Sequence, residues 1–231
     1  NMYATTAANG KESSWGTYCG EDAMVDGKNL HSCLGDLYSV SWLEDADSAF
    51  PRESLQRQMA KVVKETKESH VQIFGDTSFA SDFAGAFEGD AKDKKLEVAM
   101  LRGPVQNRKG VDARRATLSY YLSKARAGLP GARKALDAEL TFRMETTVRF
   151  DAIVRAHGID ASLLWGVVAV DVASVTDETW DCYKAAVDAV RLSCPRGIND
   201  EHVMDHLKIL AGICWAEPAS DVAASVRAAC A

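Results

Sequence analysis

The stretch Pro51-Arg52-Glu53-Ser54-Leu55-Gln56-Arg57-Gln58-Met59-Ala60-Lys61-Val62-Val63-Lys64-Glu65-Thr66-Lys67-Glu68-Ser69, followed directly by His70-Val71-Gln72-Ile73-Phe74-Gly75, changes its hydrophobic pattern partway. Leu55, Met59, Val62 and Val63 recur at i, i+4, i+7 and i+8 with charges between them, and the fixed φ of Pro51 suits a first helical turn. This predicts an amphipathic helix ending near Ser69. His70 to Gly75 then reads as a short strand and turn. Upstream, Asn1 to about Ala8 is β-branched and aromatic and reads as a buried strand, and Asn9 to Ser14 as a polar turn. One helix beside strands gives the first 75 residues an α/β character, in a unit that lacks the strands its helix should cover.

Downstream the punctuation changes. Gly75, Gly85, Gly89, Gly103 and Gly110 accompany weak periodicity and the charge cluster Lys92-Asp93-Lys94-Lys95, which reads as a linker with a domain boundary near residues 90–111. Beyond it the pattern is helical almost to the end. Leu118, Tyr121, Leu122 and Ala125 make one stripe, Pro130-Gly131 breaks it, and Leu136, Leu140, Met144 and Val148 make another. Helices are further predicted over 160–173, 178–193 and 200–215, with a short one after Pro218.

With 231 residues, 47% apolar and 26% charged, the chain has the composition of a globular protein of one or two domains, and no apolar run approaches the ~18 residues of a membrane span. Its opening residues carry neither a start methionine nor a signal segment, so the numbering is expected to begin inside a longer protein. Residues 1–90 hold 7 Lys and Arg against 15 Asp and Glu, whereas residues 102–155 hold 12 against 5. The basic stretch is not interleaved with stacking aromatics and the whole chain carries −6, which argues against nucleic acid and for docking onto the chain's own acidic part.

The six cysteines fall as Cys19 and Cys33, then Cys182, Cys194, Cys214 and Cys230. An even number so divided favours disulfides and a secretory or vacuolar compartment, with reduced core cysteines as the alternative. None sits in a setting that marks a nucleophile. Ser13 and Ser14 lack the glycine-flanked elbow of a nucleophilic serine. His202 and His206 stand four apart on a predicted helix, a spacing that can hold a metal, but without a third ligand they read as two surface histidines, and no metal is expected. Phosphate-binding glycine loops are absent, so no cofactor is expected.

Three stretches resemble the legumain family of asparaginyl endopeptidases, also called vacuolar processing enzymes. They are Tyr3-Ala4-Thr5-Thr6-Ala7-Ala8-Asn9 running into Glu12-Ser13-Ser14-Trp15-Gly16-Thr17-Tyr18-Cys19, then Cys33-Leu34-Gly35-Asp36-Leu37-Tyr38-Ser39-Val40-Ser41-Trp42-Leu43-Glu44-Asp45, then Trp180-Asp181-Cys182 with Cys194, Cys214 and Cys230. The resemblance implies the C-terminal half of a caspase-like α/β catalytic domain over 1–90, an activation linker over 91–111, and an all-α, disulfide-linked helical prodomain over 112–231, so that this chain is mostly helical. The family's catalytic cysteine and histidine precede the matching region and have no counterpart here.

What the resemblance carries over is one side of the specificity pocket. Ser13 and Asp36 match residues that grip the substrate's asparagine side chain, the backbone at Ser14 and Trp15 matches the strand that pairs with substrate, and Thr17 lies where relatives set the balance between hydrolysis and ligation. A carboxylate accepts the two N–H donors of an asparagine amide, which fits Asp36; an N-cap role before Leu37 is compatible with this. Cys19 with Cys33 resembles the plant-type pair, and the family's prodomain implies Cys182 with Cys214 and Cys194 with Cys230. Processing is implied at Asn107, in Val105-Gln106-Asn107-Arg108, with Asp112 as the acid-pH alternative. The implied function is cleavage after Asn, and after Asp at acid pH, in a vacuole or lysosome-like compartment, with peptide substrates and the chain's own catalytic part as partners. A stand-alone helical inhibitory module, a ligase of the same family and the lipid-anchor transamidase are the rival readings.

Overall fold

A computed structural model describes residues 2–48, 53–88, 110–159 and 176–231. The chain divides by contact into Asn1–Tyr120 and Tyr121–Ala231. The predicted linker over 91–111 falls almost wholly outside the described residues, as do Asn107, Pro51 and the helix expected over 160–173.

In the first unit, β1 (Tyr3–Thr6) pairs antiparallel with β6 (Gln72–Gly75), in the register Tyr3 to Gly75 and Thr6 to Gln72. The strand expected to be buried instead alternates half-buried and exposed residues, as suits a two-stranded ribbon with one partner. Gly75 has φ +86°, and a Cβ there would lie 2.1 Å from the Met2 carbonyl oxygen, so only glycine closes this ribbon. Helices α1 (Leu37–Ser48) and α2 (Leu55–Glu65) pack together, and the single turn α3 (Gly85–Glu88) follows β6.

Helix α2 is shorter than expected at both ends. Ser54 caps its start by accepting from the Arg57 amide, and the Thr66 hydroxyl donates to the Val62 carbonyl at its end. Met59 and Val62 of the predicted stripe are buried, but Val63 is 45% exposed, because the buried sector of the helix is completed by Gln58. Gln58 accepts from the Trp42 indole N–H at 3.2 Å, and the Lys61 ammonium donates to the buried Asp45 carboxylate. That bond holds the Lys61 pKa above its ordinary value.

The second unit contains α5 (Ala132–Ala156), α6 (Asp177–Ser193), α7 (Glu201–Ala216) and α8 (Val222–Cys230). Helix α4 (Ala116–Arg126) crosses the division between the units, and Gly131, at φ +73°, separates it from α5. Each later helix has a polar cap: Thr176 in a capping box with Thr179, Asp200 accepting from His202 and Val203, and Asp221 accepting from Ala224. The core gathers Phe150 and Val154 from α5, Val190 from α6, Ile209 and Ile213 from α7, and Val226 from α8. Cys182 is bonded to Cys214, joining α6 to α7, and Cys194 to Cys230, joining the end of α6 to α8.

The apolar stripe predicted on α5 is corrected by the structure. Leu140, Met144 and Val148 are 48%, 64% and 56% exposed, while Leu136, Phe142, Thr146, Phe150 and Ile153 point into the unit together with Glu139. The polar Glu139 is inside because two guanidinium groups meet it. Arg143 reaches its Oε1 at 2.7 Å and Arg196 its Oε2 at 2.6 Å; Arg196 also bonds Asp200, and Arg143 also bonds Glu201. Arg196 further covers the Phe142 ring at 3.7 Å.

His202 and His206 are likewise not the surface pair expected. His206 is buried and His202 half-buried, because their side of α7 packs against α5, where Phe150 lies 4.9 Å from the His206 ring.

Candidate functional site

Two short strands in the first unit flank β2 (Trp15–Thr17). It pairs antiparallel with β5 (Gly35–Asp36) on one side and with β7 (Val111–Asp112) on the other. Gly16 stands opposite Asp36 and Trp15 opposite Asp112, so two carboxylate-bearing residues flank one strand. Glycine suits the middle position: a Cβ on Gly16 would lie 3.0 Å from Cys33 Sγ and 3.4 Å from the Val111 carbonyl oxygen, so its neighbours would have to give way. Gly110 likewise lets the chain approach Trp15, whose Cε3 would be 3.2 Å from an added Cβ.

The pairing extends past β7, because the Ala113 amide donates to the Ser14 carbonyl at 2.9 Å. Asp112 is anchored by its side chain as well. Arg114 donates to it from the backbone amide at 2.9 Å, from Nε to Oδ1 at 3.2 Å and from Nη2 to Oδ2 at 3.1 Å. The buried Ser13 hydroxyl also hydrogen-bonds it. Burial alone would raise the Asp112 pKa, but these bonds outweigh it and hold the carboxyl below its ordinary value.

The predicted site residues thus divide. Ser13, Ser14 and Trp15 meet Asp112 and its neighbours directly, through a side chain, a carbonyl and a strand register respectively. Asp36 uses Oδ1 to accept from the Tyr38 and Ser39 amides at 3.0 and 3.3 Å, capping α1 from the end of β5. Thr17 is 2% exposed, with its carbonyl accepting from the Leu34 amide. Cys19 and Cys33 are bonded across the loop between β2 and β5, with Cα atoms 4.1 Å apart, and that loop holds a small hairpin of β3 (Met24–Val25) with β4 (Lys28–Asn29). Among the described residues no cluster of three or more His, Cys, Asp or Glu is arranged to hold a metal.

Sequence reasoning missed the pairing of β7 with β2 and the part of Arg114. The available signal was Gly110-Val111-Asp112, a glycine before a β-branched residue, too short to register as a strand. A concavity of about 910 Å³ also lies in this unit, with Tyr3, Tyr38, Trp42, Met59, Phe79 and Phe87 among its lining residues.

Residues 1–90 match the Peptidase C13 family. Aligned over 99% of its length, the chain is 31% identical to a vacuolar-processing enzyme of Vicia sativa, of which it covers 50%. It is 29% identical to the vacuolar-processing enzyme delta-isozyme of Arabidopsis thaliana and 27% identical to legumain of Canavalia ensiformis, covering 49% and 48% of those proteins. The chain spans about half the length of the curated relatives it matches. Its first 90 residues thus match the C13 peptidase pattern, and the similarity to a vacuolar-processing enzyme runs almost end to end along the chain.

Proposed function

We propose that the chain is the specificity-bearing and self-inhibiting half of an asparagine-directed cysteine endopeptidase, whose catalytic cysteine and histidine belong to the other half of the whole protein. The observation that carries this reading is the chain's own segment Gly110 to Ala113, which runs antiparallel along Ser14 to Gly16 as a peptide substrate strand would. Asp112 then occupies the position of the residue to be recognised. Its carboxylate is held by Ser13, one of the two side chains assigned to grip the substrate.

The chemistry follows from donors and acceptors. An asparagine amide offers N–H groups to the carboxylate of Asp36 and to the Ser13 hydroxyl oxygen, while its carbonyl oxygen accepts from a donor. An ionised aspartate cannot donate to Asp36; a protonated one can, so cleavage after Asp is expected only at acid pH. A site built this way discriminates against side chains that leave its polar groups unpaired. Exposed Phe74, Phe83 and Phe87, at 53%, 55% and 58%, support a unit that is covered by further polypeptide rather than one working alone. An acidic vacuolar compartment and peptide substrates complete the proposal.

The test is turnover of an asparaginyl peptide by the full-length protein at pH 7 and after acid treatment, with the C-terminus of the matured form read by mass spectrometry. Activity should be absent until a cut falls after Asn107 or Asp112. Full activity in the uncut protein at pH 7 would sink the reading.

A further inference from the structure

We propose that His202 and His206 of α7 form an acid-operated latch on the seam between α5 and α7, closed when both rings are neutral and driven open by their protonation. The inference deepens the proposed self-inhibition, but its test reads the stability of the helical unit and needs no peptidase activity.

The two rings stand edge to face, with centroids 4.5 Å apart, and His206 is 2% exposed. Their hydrogen bonds identify which nitrogens carry protons. His206 Nδ1 lies 2.7 Å from the His202 carbonyl oxygen, and His202 Nε2 lies 3.2 Å from the Arg143 carbonyl oxygen, so each of these nitrogens donates. In the neutral rings the lone pairs are therefore on His206 Nε2 and His202 Nδ1. His206 Nε2 faces the Thr147 hydroxyl at 3.5 Å, a group that donates to the Arg143 carbonyl. The Thr147 oxygen can accept from a second proton on His206, so what opposes that proton is burial and the neighbouring imidazole.

The charges that bear on the pair come from both sides of the seam. Arg143 on α5 opposes protonation of His202, and Lys208 on α7 opposes that of His206; Asp200 favours protonation of His202, and Asp205 favours that of both. Burial is the largest influence on each ring, and the net direction is downward for both. Placing two positive charges 4.5 Å apart adds mutual repulsion to the loss of hydration.

The pH range follows from the sign. A base whose folded pKa is depressed binds more protons when unfolded, so the folded form is fully favoured above the unfolded value of about 6.5 and loses ground as pH falls below it. Each proton so excluded shifts the folding equilibrium by up to about tenfold per pH unit until the folded pKa is reached. Carboxylates take up protons only near or below about pH 4.3. Between about pH 6.5 and 5 protonation of the histidine pair is therefore separated from that of ordinary carboxylates.

The experiment uses the full chain, with urea unfolding of the helical unit followed by circular dichroism between pH 7.5 and 5.0, for the wild type, His206→Gln and the His202→Gln/His206→Gln pair. The wild-type unfolding constant should rise at least tenfold over that range, and the double variant should lose most of that dependence. Equal pH dependence in wild type and double variant would overturn the proposal. Should a variant fold poorly, NMR titration of the ring protons in the wild type decides: both rings titrating at about 6.5 in the folded chain would overturn it, and titration clearly below that value would support it.

Discussion

Asp112 stands opposite Trp15 across the pairing of β7 with β2, while its carboxylate is gripped by Arg114 from the turn that follows the strand. Main chain and side chain are thus fastened by different partners. The folded pKa of Asp112 is depressed, so its contribution to holding β7 is present above the unfolded value of about 3.9 and is lost as pH falls through the folded value. Hydrogen exchange at the Ala113 amide should stay slow from pH 7 to 5 after correction for intrinsic rates, and quicken only below pH 4. Release near pH 5 would show that something other than this carboxylate holds the strand.

Asp36 carries two expected roles, which one substitution separates. Asp36→Ala removes the cap of α1, costing about 1 kcal/mol in urea unfolding of this chain. If the proposed function holds, the same substitution in the full-length protein should also lower kcat/KM on asparagine peptides by roughly tenfold or more, since a charged hydrogen-bond partner is worth about 1.5–3 kcal/mol. Unchanged asparagine turnover would remove Asp36 from the pocket.

Glu139 is fully buried between Arg143 and Arg196. Glu139→Ala leaves Arg143 with Glu201 and Arg196 with Asp200 but removes the buried carboxylate both share, and should destabilise the helical unit by about 1.5–3 kcal/mol. A loss below about 1 kcal/mol, measured by urea midpoint at constant m, would mean that Glu201, Asp200 and water replace the lost carboxylate.

The corrected face of α5 can be tested by two substitutions. Phe150 is 1% exposed and Met144 is 64% exposed, so Phe150→Ala should cost about 3–5 kcal/mol and Met144→Ala less than about 0.5. A reversed order would restore the stripe read from apolar spacing.

Much of the helical part was legible in the sequence. Helices expected over 178–193 and 200–215 are found at Asp177–Ser193 and Glu201–Ala216, because apolar spacing and the core face coincide there. On α5 they do not coincide. Leu140, Met144 and Val148 are apolar but outside, and Glu139 is charged but inside, for a reason located 57 residues away at Arg196. His206 was misjudged in the same way, since its burial is decided by Phe150 on another helix. In the first unit, the strand expected after His70 was readable from its β-branched and aromatic residues and is found at Gln72–Gly75, whereas β7 was not readable. Two residues carry no periodicity, and the close approach of Gly110 to Trp15 beside them is a contact distant in sequence.

The two bonds Cys182–Cys214 and Cys194–Cys230 interleave along the chain, and this gives the helical unit a topology under scission. A single peptide cut anywhere from Cys182 to Cys230 leaves both fragments covalently joined, so α6, α7 and α8 survive nicking as one body. Helix α5 has no cysteine and belongs to that body only through packing and polar contacts. In a protease-rich compartment the seam beside α5 is therefore where these four helices can come apart without reduction, and a cut between Ala156 and Asp177 would turn a conformational opening there into permanent loss of the helix.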